Sequence, residues 1–142
     1  MTPLLSLIPR PLAQLLIDHP DRPPLELERT FAGAVLFADI AGFTALSDTL
    51  AASGPRGIEE LTGLLNRLFA GLIARVEAFG GEVWGFGGDA LTAIFPLADD
   101  DPAAGARRAA ACAWAMQRET VAAPPLATSA GAFPLSMAIG LA

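Results

Sequence analysis

Two aspartates, far apart in the sequence, are the residues best placed by their surroundings to do chemistry. Asp39 ends a run of apolar residues and is followed by Gly42, after which a helix can begin. A carboxylate can bind a divalent cation, and the free amides at the start of a helix can bind a phosphate. Asp89 follows the pair Gly87-Gly88, between two short apolar runs. This pattern predicts a site for a nucleotide that carries its own metal ions.

The elements that hold Asp39 can be predicted from the hydrophobic pattern. Residues 35–40 are almost continuously apolar, which is typical of a central strand that is fully buried. We expect this strand over residues 31–40. A short helix with apolar residues at helical spacing should follow and should end at Gly54-Pro55.

The next predicted elements are a long helix and a hairpin. Apolar residues recur at steps of three and four from Ile58 to Phe79, which indicates one face of a helix that stops at Gly80-Gly81. Two short runs, 82–86 and 90–95, are separated by Gly87-Gly88. That spacing predicts a tight hairpin in which both glycines supply positive φ angles.

The rest of the chain completes a mixed fold. A helix is expected over residues 102–121, with Cys112, Trp114 and Met116 in its packed face, and then a loose linker and a strand over 135–141. The order strand, helix, helix, hairpin, helix, strand predicts the α+β class, as a ferredoxin-like sandwich with helices on one face. If the hairpin lies beside a central first strand, Asp39 and Asp89 converge at one end of the sheet.

Composition narrows the class of protein. The 142 residues fit one domain, and 53% hydrophobic against 17% charged residues indicates a packed core. A net charge of −6 argues against nucleic acid as a partner. The single Cys112 excludes an internal disulfide and suits a cytoplasmic protein. We predict no transmembrane segment and no signal peptide, and we interpret residues 1–30 as a lead-in to a domain over 31–142.

Two segments resemble the metal-binding motifs of the class III adenylyl and guanylyl cyclases. They are residues 37–44, FADIAGFT, and residues 79–90, FGGEVWGFGGDA. The resemblance covers residues 31–142 and implies the cyclase form of the ferredoxin-like sandwich, without its C-terminal elements. The residues of the two motifs are most similar to those in the first of two tandem domains in the soluble adenylyl cyclase group.

The resemblance implies a set of site residues and a reaction. Asp39 and Asp89 would be the catalytic residues and would bind two Mg²⁺ or Mn²⁺ ions, helped by the main-chain carbonyl of Ile40. The phosphates would be held by four consecutive residues: Ala41, Gly42, Phe43 and Thr44. The implied reaction is attack of a ribose 3′-hydroxyl on the α-phosphate of a nucleoside triphosphate, ATP being favoured, to give a 3′,5′-cyclic nucleotide and pyrophosphate.

The sequence departs from the family pattern at one position that matters for the base. Gly85 stands four residues before Asp89, where the family commonly carries a lysine that reads the purine, so no base-binding residue is assigned. The family's transition-state asparagine and arginine would lie beyond residue 142. We therefore expect this chain to supply the metal half of a dimeric site. Its partner would be a second cyclase domain, in the same polypeptide or as a second copy.

Other functions also fit parts of the sequence. A catalytically silent cyclase-like module for regulation or dimerisation is favoured by Gly85 and opposed by the aspartate pair. Residues 85–90 match the dinucleotide pattern G-x-G-x-x-A, but that pattern must open a helix and this segment is predicted to be a strand. The Gly-Gly-Asp hairpin is also found in diguanylate cyclases, but that family has an acidic residue where this chain has Ala90. A phosphotransferase that uses Asp39 as its nucleophile would need a second acidic residue two positions later, where this chain has Ala41. A solvated charge or a helix cap is the ordinary role of a lone aspartate at a strand end.

Overall fold

The structure is a computed structural model that describes residues 9–28, 30–98 and 101–142. The predicted lead-in over residues 1–30 therefore lies partly outside the described residues. Its described part contains helix α1 (Arg10–Asp18) and a 3₁₀ turn (Pro24–Glu26). No helix in the described residues is both long enough and apolar enough to cross a membrane.

The remaining elements follow the predicted order, with one addition. Three further helices are α2 (Phe43–Ala52), α3 (Pro55–Ala78) and α4 (Pro102–Ala122). Six strands are β1 (Gly33–Ala41), β2 (Glu82–Gly87), β3 (Ala90–Pro96), β4 (Leu126–Thr128), β5 (Gly131–Phe133) and β6 (Ser136–Leu141). The first strand begins at Gly33, two residues later than the apolar pattern indicated.

The main sheet has the topology that the sequence predicted. Its strand order is β2-β3-β1-β6, and each neighbouring pair is antiparallel. The chain crosses from β1 to β2 through α2 and α3, and from β3 to β6 through α4. This is the βαββαβ arrangement of a ferredoxin-like α+β sandwich, so the predicted fold class is confirmed.

The core lies between the helices and one face of the sheet. Its fully buried residues come from β1, β3, α3 and α4: Leu36, Leu91, Phe95, Val76 and Cys112. Burial of a side chain of leucine or phenylalanine size stabilises a fold by about 1.5–3 kcal/mol. Burial also raises the pKa of the Cys112 thiol to about 11, so this residue acts as an uncharged packing group.

The expectation that β1 is fully buried was wrong. Leu36, Ala38 and Ile40 are buried, whereas Phe37 between them is 50% exposed. Successive side chains of a strand point to opposite faces, and the described helices cover only one face of this sheet. The continuous apolar run therefore reflects a second face that is apolar but open, which we call the open face.

A second cluster joins α2 to α3. Leu46, Leu50 and Leu64 are its buried members. The two helices meet at Gly57, where a Cβ atom would lie 1.9 Å from the carbonyl oxygen of Leu50. Only a glycine allows this approach of the two backbones.

Two local predictions about the C-terminal third need correction. The segment predicted to be a loose linker contains the β4–β5 hairpin, whose Leu126 and Phe133 pack against the second cluster. Strands of three residues are too short to give a periodic pattern, so the sequence did not indicate them. Trp114 was expected to pack with Cys112 and Met116, but it is 67% exposed on the outer side of α4.

Candidate active site

Asp39 lies near the end of the central strand, on the open face of the sheet. In the strand register it is directly opposite Ala90 of β3 and Ala138 of β6. The flanking residues Ala38 and Ile40 are buried under the helices, so the alternation along the strand places Asp39 on the other face. The side chain is only partly buried, which leaves it accessible to a ligand.

Asp89 occupies the turn of the β2–β3 hairpin. Gly87 pairs with Ala90, so the two turn residues are Gly88 and Asp89. Of the four residues from Gly87 to Ala90, only Gly88 has a positive φ, of 67°. Glycine at the first turn position is the pattern of a type II′ turn. The prediction that Gly87 and Gly88 form the turn was therefore wrong, because the strand pairing extends through Gly87.

The structure brings the two predicted aspartates to the same end of the sheet. Asp39 is opposite Ala90, and the main-chain N–H of Ile40 donates a hydrogen bond of 3.3 Å to the carbonyl oxygen of Asp89. In the described part of the chain, no group of three acidic, histidine or cysteine side chains is placed to hold a metal ion. Any metal bound here would need oxygen atoms from the main chain and from the ligand.

The main chain of Ile40 faces the hairpin. Val35 and Ala142 exchange both of their main-chain hydrogen bonds across the β1–β6 pair. In an antiparallel ladder, residue pairs that exchange two hydrogen bonds alternate with pairs that exchange no hydrogen bonds. The register places Ile40, opposite Met137, in a pair without hydrogen bonds to β6. Its N–H and carbonyl therefore point away from β6 and toward the hairpin. The carbonyl oxygen predicted as a ligand is on the side of Asp89.

The loop after Asp39 forms the start of α2. Gly42 has a φ of 94°, and a Cβ atom there would lie 3.0 Å from the carbonyl oxygen of Pro134. The helix begins at Phe43 without a side-chain cap, so the main-chain N–H groups of its first turn, including those of Phe43 and Thr44, have no intrahelical acceptor. The positive end of the helix dipole lies at the same place and also favours a negatively charged group. The loop 41–44 therefore has the features of an anion site.

Gly85 lies on the open face and leaves space in the same row of the sheet as Phe37. It is opposite Thr92 of β3, which is in turn opposite Phe37 of β1. A Cβ atom at Gly85 would meet no atom within 4 Å. The position therefore offers neither a side chain nor an obstruction to a group that approaches the open face.

Comparisons of sequence and of structure converge on one group of enzymes. Adenylate cyclase type 10 from Rattus norvegicus is 36% identical over 80 residues, which are 55% of this chain and 5% of that protein. The adenylyl cyclase CyaB from P. aeruginosa superposes with a TM-score of 0.57 at 26% identity, over 77% of this chain and 54% of CyaB. The guanylyl cyclase Cya2 superposes with a TM-score of 0.60 at 30% identity, over 77% and 52%. No protein-family model matches the chain.

The chain is similar in sequence and in fold to part of the catalytic domain of class III nucleotide cyclases. The resemblance stated from the two motifs is thereby confirmed. The chain spans about half the length of the solved cyclases that it matches, and about one twentieth of adenylate cyclase type 10.

The structure also shows a part of the site that the sequence did not indicate. The segment between β5 and β6 reaches the loop 41–44, because the carbonyl of Pro134 is in contact range of Gly42. These two residues are 92 positions apart in the sequence. Nothing in the local pattern around Pro134 marks it as a neighbour of the loop, since its place depends on the β1–β6 pairing.

Proposed function

We propose that this cyclase domain supplies the metal-binding and phosphate-binding half of a site that converts a nucleoside triphosphate to a 3′,5′-cyclic nucleotide and pyrophosphate. The observation that carries the proposal is the junction of β1 with the β2–β3 turn, where Asp39 and Asp89 are placed at one end of the sheet beside an uncapped helix start. The similarity to adenylate cyclase type 10 favours ATP as the substrate.

The donor set fits two magnesium or manganese ions. Two aspartate carboxylates and one main-chain carbonyl are hard oxygen ligands, which these ions prefer over nitrogen or sulfur. Such ions, when bound, would lower the pKa of an attacking hydroxyl and stabilise the negative charge of a leaving group. Asp39 and Asp89 would hold the ions together with the carbonyl of Ile40 and phosphate oxygens.

The residues of the chain then act by position and charge. The amides of Phe43 and Thr44 would bind the terminal phosphates and align the leaving pyrophosphate. The ribose 3′-oxygen forms a bond to the α-phosphorus as the bond from that phosphorus to the bridging oxygen breaks. The hydroxyl proton leaves to solvent or to a basic group, and pyrophosphate carries away the electron pair.

The other half of the site would come from a second cyclase domain. Phe37, two residues before Asp39 on the open face, is 50% exposed, and Phe31 and Trp84, whose ring centroids lie 6.1 Å apart, are each 39% exposed. Gly85 has no side chain that could donate a hydrogen bond to a purine, so a partner would have to bind the base. The partner would be a second domain of the same polypeptide or a second copy of the chain.

The proposal is tested by nucleotide binding to the full chain. We expect ATP titrated in the presence of Mn²⁺ to give a saturable heat in calorimetry, and no such heat without the metal. Asp39→Asn and Asp89→Asn should each weaken binding strongly, because each removes one of the two carboxylate ligands. Asp48→Asn is the matched control, since Asp48 is an exposed aspartate on α2 that takes no part in the site.

Turnover adds a second measurement. With a complementing cyclase domain, each of the two site variants should lose at least about 100-fold in cyclic nucleotide formation, since metal ions contribute several kcal/mol to such transition states. Full turnover by the Asp39→Asn, Asp89→Asn double variant in that assembly would rule the proposal out.

A catalytically silent regulatory or dimerisation module is the second candidate. The observation in its favour is the empty position at Gly85, combined with the apolar open face. It predicts that the chain pairs with another cyclase domain and gives no metal-dependent heat with ATP. The same titration therefore separates the two functions.

A further inference from the structure

A large cavity lies on the helical side of the sheet, away from the open face. Its volume is about 770 Å³, and it lies between α3, the end of α4 and the segments that flank the β4–β5 hairpin. Volumes of about 300–1,000 Å³ are typical of pockets that bind small organic molecules. Most of the side chains around it are apolar, among them Leu68, Leu72, Met116, Leu126 and Met137.

The charged residues of the cavity carry a net positive charge. Its lining contains two arginines, Arg67 and Arg75, and one glutamate, Glu119. Arg75 forms an ion pair with Glu119 through one terminal nitrogen, whereas its Nε atom is buried and has no hydrogen-bond partner in the described part of the chain. A buried N–H without an acceptor is costly, so a shift of the Arg75 side chain that brings this N–H to an acceptor in the cavity is favourable.

We propose that this cavity binds a small organic acid with an apolar body and one carboxylate. The apolar walls would bury the body, and Arg75 would bind the carboxylate through a charge-assisted hydrogen bond. Glu119 competes for the same guanidinium and therefore sets the affinity. No part of this inference depends on the proposed nucleotide site.

The cavity nevertheless reaches the back of that site. Ile40, which follows Asp39 on β1, contributes to its lining from the buried face, and so do Pro134 and Leu135. Pro134 is the residue whose carbonyl lies against Gly42. A molecule in the cavity would therefore touch the supports of the loop 41–44 from behind.

The first test compares a charged probe with a neutral one of the same shape. We expect 1-naphthaleneacetate to bind the full chain with a 1:1 stoichiometry in calorimetry, without nucleotide or metal present. The amide 1-naphthaleneacetamide should bind about tenfold more weakly, because it loses the charge-assisted hydrogen bond. Equal affinities, or no binding of the acid, would overturn the proposal.

Two charge variants change the acid's affinity in opposite directions. Glu119→Gln should strengthen binding of the acid several-fold, because it frees Arg75 from its ion pair, and should leave the amide unchanged. Arg75→Gln should reduce the affinity for the acid to that for the amide. Glu119 is more than half exposed, so its replacement is not expected to disturb the fold. A Glu119→Gln variant that binds the acid no better than the parent chain would contradict the assignment of Arg75.

A third variant pair tests the location. Gly71 of α3 lines the cavity, and a Cβ atom there would meet nothing within 4 Å, so Gly71→Phe can fill the space without a clash at its base. It should abolish binding of both probes. Ala70→Phe, at the exposed neighbouring position outside the lining, should leave both affinities unchanged. Circular dichroism confirms that each variant is folded, and binding by folded Gly71→Phe would refute the site.

Discussion

At the scale of single residues, one glycine connects the candidate metal site to the phosphate loop. Gly42 turns the chain from β1 into α2 with a φ of 94°, a conformation that costs other residues about 1 kcal/mol or more. The carbonyl oxygen of Pro134 would also crowd a side chain at this position, because it lies 3.0 Å from where a Cβ atom would be. The turn therefore depends on glycine for two independent reasons.

Replacing this glycine should disturb both stability and phosphate binding. We expect Gly42→Ala to lower the free energy of unfolding by about 1–3 kcal/mol, since strain and a close contact add. Urea denaturation measures this. Gly80→Ala is the control, because Gly80 also has a positive φ, of 72°, but a Cβ atom there would make only an ordinary contact, 3.6 Å from the side chain of Arg108, so it reports the strain alone. An equal loss in the two variants would show that the contact with Pro134 contributes nothing.

At the scale of elements, the packing of α2 on α3 depends on the absence of one methyl group. Gly57→Ala would place its Cβ atom 1.9 Å from the carbonyl oxygen of Leu50, so one helix must move. We expect a loss of about 1–3 kcal/mol of stability, as for other overpacked sites. Gly71→Ala in the same helix meets no atom within 4 Å and should instead stabilise the chain by about 1 kcal/mol. Thermal denaturation of both variants, with opposite shifts of Tm, checks this pair.

The attachment of the β4–β5 hairpin to α3 should depend on pH. The side chain and then the main-chain N–H of Ser129 donate hydrogen bonds to Glu60, and these bonds hold the pKa of that carboxyl below its ordinary value of 4.5. A lowered pKa means that the contact stabilises the fold above pH 4.5 and is lost as the pH falls through the folded-state pKa.

Hydrogen exchange of the Ser129 amide measures this attachment. In the unmodified chain its protection should fall as the solution is acidified below pH 4.5. Glu60→Ala should lack the protection at every pH, whereas Glu59→Ala, which removes the same charge from an exposed neighbour, should behave like the parent chain. Protection that does not change with pH in the parent chain would contradict the role of the Glu60 carboxylate.

At the scale of the whole molecule, the two faces of the sheet have different neighbours. Helices cover the face of Leu36 and Phe95, whereas Phe37 on the open face is 50% exposed. An exposed apolar surface next to a candidate site is typical of an interface. We therefore expect the chain to associate through the open face.

This association can be tested with one substitution on each side of the molecule. The sedimentation coefficient of the parent chain should rise with concentration. Phe37→Lys should abolish the rise, because it places a charge in the interface. Trp114→Lys removes an even more exposed aromatic ring from the outer side of α4 and should leave the association unchanged. A parent chain that stays monomeric at every concentration would rule out pairing between copies.

Much of the candidate site could be predicted because its signals are local. The apolar run before Asp39, the helical spacing of α3 and the glycines before Asp89 are each contained in a short window of sequence. The order of these elements then restricts the topology to a few arrangements, of which the ferredoxin-like one occurs.

The sequence by itself determined helices α2 to α4, the four strands of the main sheet, their order and the two motifs, since hydrophobic periodicity and turn chemistry act between neighbours in the chain. Only the tertiary structure decided which glycine turns the hairpin, which face of β1 remains open, and that Pro134 meets Gly42 and Arg75 meets Glu119. Each of these depends on the register or packing of segments that are remote in sequence. Such contacts form only when the whole sheet and its helices assemble.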